Sequence, residues 1–194
     1  MLAAHLIFGA YGFWLPNDPR GSWSTFIGSW ELLRYGPATK TTERRSLARR
    51  PHDGVLRTAA KEALQRTAVR FNGLQARAIG RGFARYAERS GSSILACAIL
   101  PDHVHLVVSQ PRIGLPQLAV QLKGEATAQL IAEGLHPFAH LPLRKGRPPK
   151  CFARGQWKVY LDSEDDVYRA IAYVENNPLK EGLRRQRWSF VIWV

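Results

Sequence analysis

The sequence predicts an α+β fold, an antiparallel sheet with helices on one face. Three observations predict it. Segments of strand and helix periodicity follow one another as strand, helix, strand, strand, helix, strand, which is the element order of a ferredoxin-like sheet. Two apolar runs flank the turn Pro101-Asp102 and read as a hairpin of buried strands. A length of 194 residues with 45% hydrophobic content suits one domain with a full core, residues 1–194, carrying an insertion over about 21–70.

Ala3 to Trp14 mixes apolar and aromatic types at strand-like density, and the turn-rich run Leu15 to Gly21 closes it. From Ser22 to Asp53 the composition shifts to Gly, Thr, Ser and Arg, with Arg44-Arg45 and Arg49-Arg50 as paired charges. No apolar period is sustained there, so the segment reads as an irregular basic insertion. Helical patterns follow over Gly54 to Arg70 and Gly73 to Ser90, the second with Leu74, Ala78, Phe83 and Tyr86 near a 3.6-residue repeat. The hairpin strands are Ser93 to Leu100 and His103 to Ser109. Leu115 to Leu135 is helical, with Leu118, Leu122, Ala126 and Leu130 on one face, and His136 to Lys150 is a Pro-, Gly- and Lys/Arg-rich loop. Gln156 to Leu161 alternates as a strand. A helix capped by Ser163 follows, with Asp165 and Asp166 in its first turn, Val167, Ile171 and Val174 on one side, and an expected end before Pro178.

Charge narrows the partners. Against 15 acidic residues stand 28 Lys and Arg, a formal +13, which favours a polyanion, with nucleic acid ahead of a membrane surface because no basic amphipathic helix is present. The apolar stretch Leu2 to Leu15 is interrupted by His5 and falls short of the roughly 20 residues of a membrane span, and it lacks a secretion leader. No membrane partner and a cytoplasmic location are the expectation. The only cysteines, Cys97 and Cys151, form no CxxC pair and read as reduced thiols. No GxxxxGK[ST] loop is present to bind a nucleotide.

Two motifs carry chemistry. In His103-Val104-His105 strand alternation turns both imidazoles to one face, the spacing of a divalent-cation pair acting on a phosphoryl oxygen. Alone, such a triplet is more often two structural histidines. In Ala172 to Pro178, Tyr173 and Asn177 are one helical turn apart and share a face, a phenol nucleophile beside an amide ligand. Alone, that spacing is more often an ordinary amphipathic helix. Tyr160 and Tyr168 are rival nucleophiles by chemistry.

Together, Pro101-Asp102-His103-Val104-His105-Leu106-Val107-Val108 and Tyr173-Val174-Glu175-Asn176-Asn177-Pro178-Leu179-Lys180-Glu181-Gly182-Leu183 resemble the two signature blocks of the HUH-type single-tyrosine transposases, in particular the REP-associated tyrosine transposases. The resemblance covers roughly Ser93 to Leu183 plus the opening strand, and the segment around Leu122-Lys123-Gly124 resembles its family counterpart. Gly21 to Arg70 is longer than in compact members, and Phe152 stands where relatives often have Trp.

The resemblance implies Mg²⁺ or Mn²⁺ on His103, His105 and Asn177, and attack by Tyr173 that leaves a 5′-phosphotyrosine and a free 3′-hydroxyl. It implies single-stranded or hairpin DNA as substrate and a monomer or homodimer. Material for DNA contact is present in Lys123, in Arg144, Lys145, Arg147 and Lys150 of one loop, and in Arg184, Arg185 and Arg187 after the second block. Trp23, Trp30 and Trp188 are candidate stacking aromatics, although Trp157 and Trp188 fit a core better. Two rival functions remain open, a DNA-binding protein without catalysis and a hydrolytic metal nuclease in which water attacks. An RNA substrate fits the charge equally.

Overall fold

The structure is a computed structural model that describes residues 1–16, 30–36 and 53–192. In chain order its elements are β1 (Ala3–Gly9), a short 3₁₀ helix (Trp30–Tyr35), α1 (Gly54–Glu62), α2 (Gly73–Ser90), β2 (Ser93–Ile99), β3 (His103–Ser109), α3 (Leu115–Ala132), β4 (Trp157–Leu161) and α4 (Glu164–Lys180). The irregular basic insertion with Arg44, Arg45, Arg49 and Arg50, and the candidate aromatic Trp23, lie outside the described residues.

The four strands form one sheet in the order β2-β3-β1-β4, every neighbouring pair antiparallel. β1 and β2 therefore run parallel with β3 between them, the split βαβ arrangement of the ferredoxin-like order. The helices expected on one face are α2 and α3, whose Ile79, Phe83, Leu118 and Leu122 pack on Leu6 and Phe8 of β1 and Val104 and Leu106 of β3. α4 lies on the other face, where Val174 joins Ala3, Val107 and Leu161. Both faces need cover because β1 and β3 are buried almost throughout.

Three features differ from the sequence expectation. The helix expected to reach Arg70 stops at Glu62, and the chain then runs extended so that Val69 and Phe71 enter the core. Their amides donate to the carbonyls of Tyr11 and Pro101, 2.9 and 2.6 Å away. On α2, Leu74 is exposed, whereas Ala78, Phe83 and Tyr86 are buried as the periodicity predicts. Lastly, α4 does not end before Pro178 but carries it within the helix. The stop is Gly182, whose φ of 70° lets Leu183 donate back to the Pro178 carbonyl and Gly182 to that of Leu179, a Schellman finish.

The outer edge of β2 is occupied by the C-terminal segment. Gln186 both accepts from the Ile99 amide and donates to the Ile99 carbonyl, each at 2.8 Å, and Ile192 donates to the Ile94 carbonyl at 2.9 Å. Trp188 stacks on Phe190 against the core. Cys97 and Cys151 are buried, and burial pushes both thiols up, Cys151 to about 11, so neither is a reactive thiolate. Among the described residues no helix is long and apolar enough to cross a membrane.

Candidate active site

Alternation along β3 turns Val104 and Leu106 toward α2 and α3, and turns His103 and His105 to the α4 side. Both imidazoles are buried, their ring centres 4.8 Å apart. The Pro101-Asp102 turn places a carboxylate beside the first: Asp102 Oδ1 is 2.7 Å from His103 Nδ1. A carboxylate accepts, so Nδ1 carries the proton, and in the neutral ring the lone pair is on Nε2. Phe13 stacks on the same ring at 4.7 Å after folding back over Gly9, which faces His103 across the strand pair. A Cβ at position 9 would lie 2.6 Å from Phe13, so this approach needs glycine.

A third histidine stands here that no sequence motif marks. His5 of β1 sits opposite Val107 and diagonal to His105, and its Nε2 is 3.0 Å from His105 Nδ1. Burial lowers the His5 pKa to about 4. Burial also holds His105 well below the usual imidazole range, with the nearby charges of His103, His5 and Lys180 adding to it. Both rings are neutral at pH 7, the form in which imidazole binds a metal. In the sequence His5 is only an interruption of an apolar run, and nothing short of the strand register pairs it with His105.

α4 brings the phenol to these rings. Tyr173 is 42% exposed, and its ring centre lies 5.6 Å from that of His105 and 5.8 Å from that of His5, both edge-on. Burial raises the Tyr173 pKa, opposed by the Asn177 amide and reinforced by the negative charge of Glu181. The Lys180 ammonium sits 4.7 Å from the Tyr173 ring centre. Tyr173, Asn177 and Lys180 thus form one stripe at i, i+4 and i+7, a spacing by which the sequence also signals Lys180. The rivals are placed elsewhere. Tyr160 pairs with Ala4, whose side chain faces α2 and α3, and Tyr168 is turned about 140° around the helix from Tyr173.

Among the described residues no group of three His, Cys, Asp or Glu side chains converges as a cation cage. The donor set on offer is two imidazoles and an amide. Asn177 is 7% exposed, and its side-chain nitrogen has no hydrogen-bond partner. Half a turn about χ2 exchanges the amide ends, so the buried amide beside the Tyr173 phenol can present its oxygen to a cation.

The basic residues divide into two kinds. Lys123 stands apart from the histidines, its ammonium donating to the carbonyls of Ala153 and Gly155 at 2.9 and 2.6 Å and lying over Phe8 on the α2/α3 side of the sheet. Burial, with the charge of Lys150 beside it, lowers its pKa to about 8, and its two bonds tie α3 to the segment entering β4. Arg144, Lys145, Arg147 and Lys150 are exposed, the first three on a small turn closed by mutual backbone bonds between Arg144 and Arg147. Arg184, Arg185 and Arg187 are exposed and line a cavity of about 450 Å³ with Phe71, Arg77 and Trp188, while Arg185 also pairs with Glu175 at 3.7 Å. Phe152 is buried edge-on against Phe8.

No protein-family profile and no curated protein matches the chain. Similarity is found among solved structures. One is a REP-associated tyrosine transposase bound to a REP hairpin, 13% identical, with 97% of this chain and 74% of that one covered and a TM-score of 0.49. Another is a protein from Deinococcus radiodurans R1 described as a candidate transposase, 15% identical over 90% of this chain and 89% of that one, with a TM-score of 0.41.

Proposed function

We propose that this protein nicks and rejoins single-stranded DNA as a tyrosine transposase, with Tyr173 as nucleophile and Mg²⁺ or Mn²⁺ held by His103, His105 and Asn177. The observation that carries the reading is the phenol of Tyr173 set edge-on against His105, beside two imidazoles of which the first has its Nδ1 committed to Asp102. A pair of structural histidines gains nothing from a half-exposed tyrosine and a buried amide in the same place. The cation supplies positive charge on the scissile phosphate and eases departure of the leaving oxygen.

The protein's own groups supply the rest. The Tyr173 oxygen gives up its proton and bonds to phosphorus, the bond from phosphorus to the 3′-oxygen breaks, and that oxygen leaves as a hydroxyl after taking a proton. The 5′-phosphate stays on Tyr173, so one phosphodiester is exchanged for another and a 3′-hydroxyl rejoins the strand by the reverse attack without a nucleotide cofactor. The Lys180 ammonium over the ring attracts the incoming phosphate. Arg144, Lys145, Arg147 and Lys150, together with Arg184 and Arg185, offer phosphate contacts for the strand on either side. Hairpin-flanked single strands are the substrate class that the two signature blocks point to.

The test is incubation of the protein with end-labelled single-stranded oligonucleotides carrying hairpins, with Mg²⁺ or Mn²⁺, followed by a denaturing gel. A labelled protein adduct that disappears in Tyr173→Phe and with chelator is the expected result. Cleavage that turns over without an adduct overturns the tyrosine mechanism in favour of water attack. Binding without cleavage across a broad library leaves only a DNA-binding role.

A further inference from the structure

We propose that His5 is a positioning residue that fixes the tautomer of His105 and so keeps its Nε2 free as a cation donor; this rests on the metal-site reading above. The argument is one of hydrogen-bond parity. A bond between two imidazole nitrogens takes one N–H and one lone pair, and here the atoms are His5 Nε2 and His105 Nδ1, 3.0 Å apart. If His5 donates, the proton of His105 sits on Nε2, and that nitrogen has no lone pair to give. If His105 donates, Nε2 is left with its lone pair. Only the second arrangement makes the two strand neighbours alike, because His103 already places its own proton on Nδ1 toward Asp102.

The choice of residue follows from the position. Histidine ligands are commonly oriented by a carboxylate or a backbone carbonyl. Position 5 is 8% exposed, and a second carboxylate there would have to be desolvated beside an apolar cluster, whereas a neutral imidazole accepts the same bond without a charge. The register of β1 supplies it, setting His5 diagonal to His105 on the shared face. The same ring meets Tyr173 edge-on at 5.8 Å, so one side chain abuts both a ligand and the nucleophile.

Two readouts decide it, neither of which is activity. Long-range ¹H–¹⁵N correlation on ¹⁵N-histidine-labelled protein without metal reports the tautomer of His105, and Mn²⁺ titration of the same protein without DNA reports affinity. Wild type is expected to hold His105 as the Nδ1–H form. His5→Gln, whose amide oxygen accepts equally, is expected to keep both the tautomer and most of the affinity. His5→Leu is expected to mix the tautomers and bind Mn²⁺ on the order of 10- to 100-fold more weakly, the usual penalty for losing the partner of a ligating histidine. Finding His105 as the Nε2–H form in wild type overturns the inference, and so does His5→Leu with unchanged tautomer and affinity. Wild type that binds no Mn²⁺ overturns the metal reading instead, with the tautomer still read independently.

Discussion

Asp102 accepts a hydrogen bond from His103 Nδ1 at 2.7 Å, so the carboxylate that orients this imidazole is its immediate neighbour in the chain. The turn before β3 makes that possible, because within a strand consecutive side chains point to opposite faces. Asp102→Ala is expected to weaken Mn²⁺ binding roughly 10- to 100-fold, and Asp102→Asn less, since its amide oxygen still accepts. Isothermal titration of the three proteins checks this, and equal affinities would remove Asp102 from the site.

Gly9→Ala sets a methyl group 2.6 Å from Phe13. The backbone of β1 is fixed by partners on both sides, and the methyl group meets the Phe13 Cβ as well as its ring, so the chain at Phe13 must shift and carry the ring off the face of His103. Overpacking of this kind costs about 1–3 kcal/mol. Thermal unfolding followed by near-ultraviolet circular dichroism reads both effects; an unshifted melting temperature would mean that Phe13 relaxes freely.

The exposed turn at Arg144, Lys145 and Arg147 tests strand binding apart from chemistry. Lys145 and Gly146 both take positive φ, 52° and 72°, which makes a tight two-residue tip that holds three cations at the surface. Replacing all three by Ala is expected to flatten the dependence of log affinity on log salt by roughly 2 for single-stranded DNA, about 0.7 for each phosphate that is no longer neutralised. An unchanged slope in fluorescence anisotropy would place the strand elsewhere.

Acid should expose the tie between α2 and the end of α3. Arg81 donates to both carboxylate oxygens of Glu133, and Gln129 adds a third bond, holding the Glu133 pKa down at about 2. A depressed carboxylate stabilises the fold above its unfolded pKa, near 4.5, and loses that contribution as pH falls through about 2. The difference in melting temperature between wild type and Arg81→Ala should therefore be constant near neutrality and close between about pH 4.5 and pH 2. A gap that persists at the acid end would assign the effect to packing of the arginine stem.

Much of this architecture is written in local pattern. The ends of α2 coincide with the expected ones because Asn72 and Gln75 form a reciprocal capping box and Gly91 closes the helix in the left-handed region. Val104 faces away from its flanking histidines because strand alternation has no alternative. What was not legible depends on partners distant in sequence. The His5–His105 contact joins positions 100 residues apart and exists only in one register. Lys123 reads as a surface cation in the sequence, yet its stem crosses the core edge to reach two carbonyls near β4. Pro178 is a local stop signal that the Gly182 finish and the buried side of α4 override. Val69 and Phe71 leave helical geometry because carbonyls of Tyr11 and Pro101 are there to receive their amides.

The Gln186 side chain does for β2 what a neighbouring strand would do, taking up the amide and carbonyl of Ile99 while Ile192 takes up the carbonyl of Ile94. A sheet with one rim closed in this way can grow in one direction only. Among the described residues β4 pairs with β1 alone, so a second copy that adds a strand must do so along Trp157–Leu161. His103 and His105 lie on the face that α4 covers, one strand further in than β1. Any assembly by strand addition would therefore seat the visiting copy with β4 and β1 between it and His105, on the side away from the Arg184–Arg187 cavity.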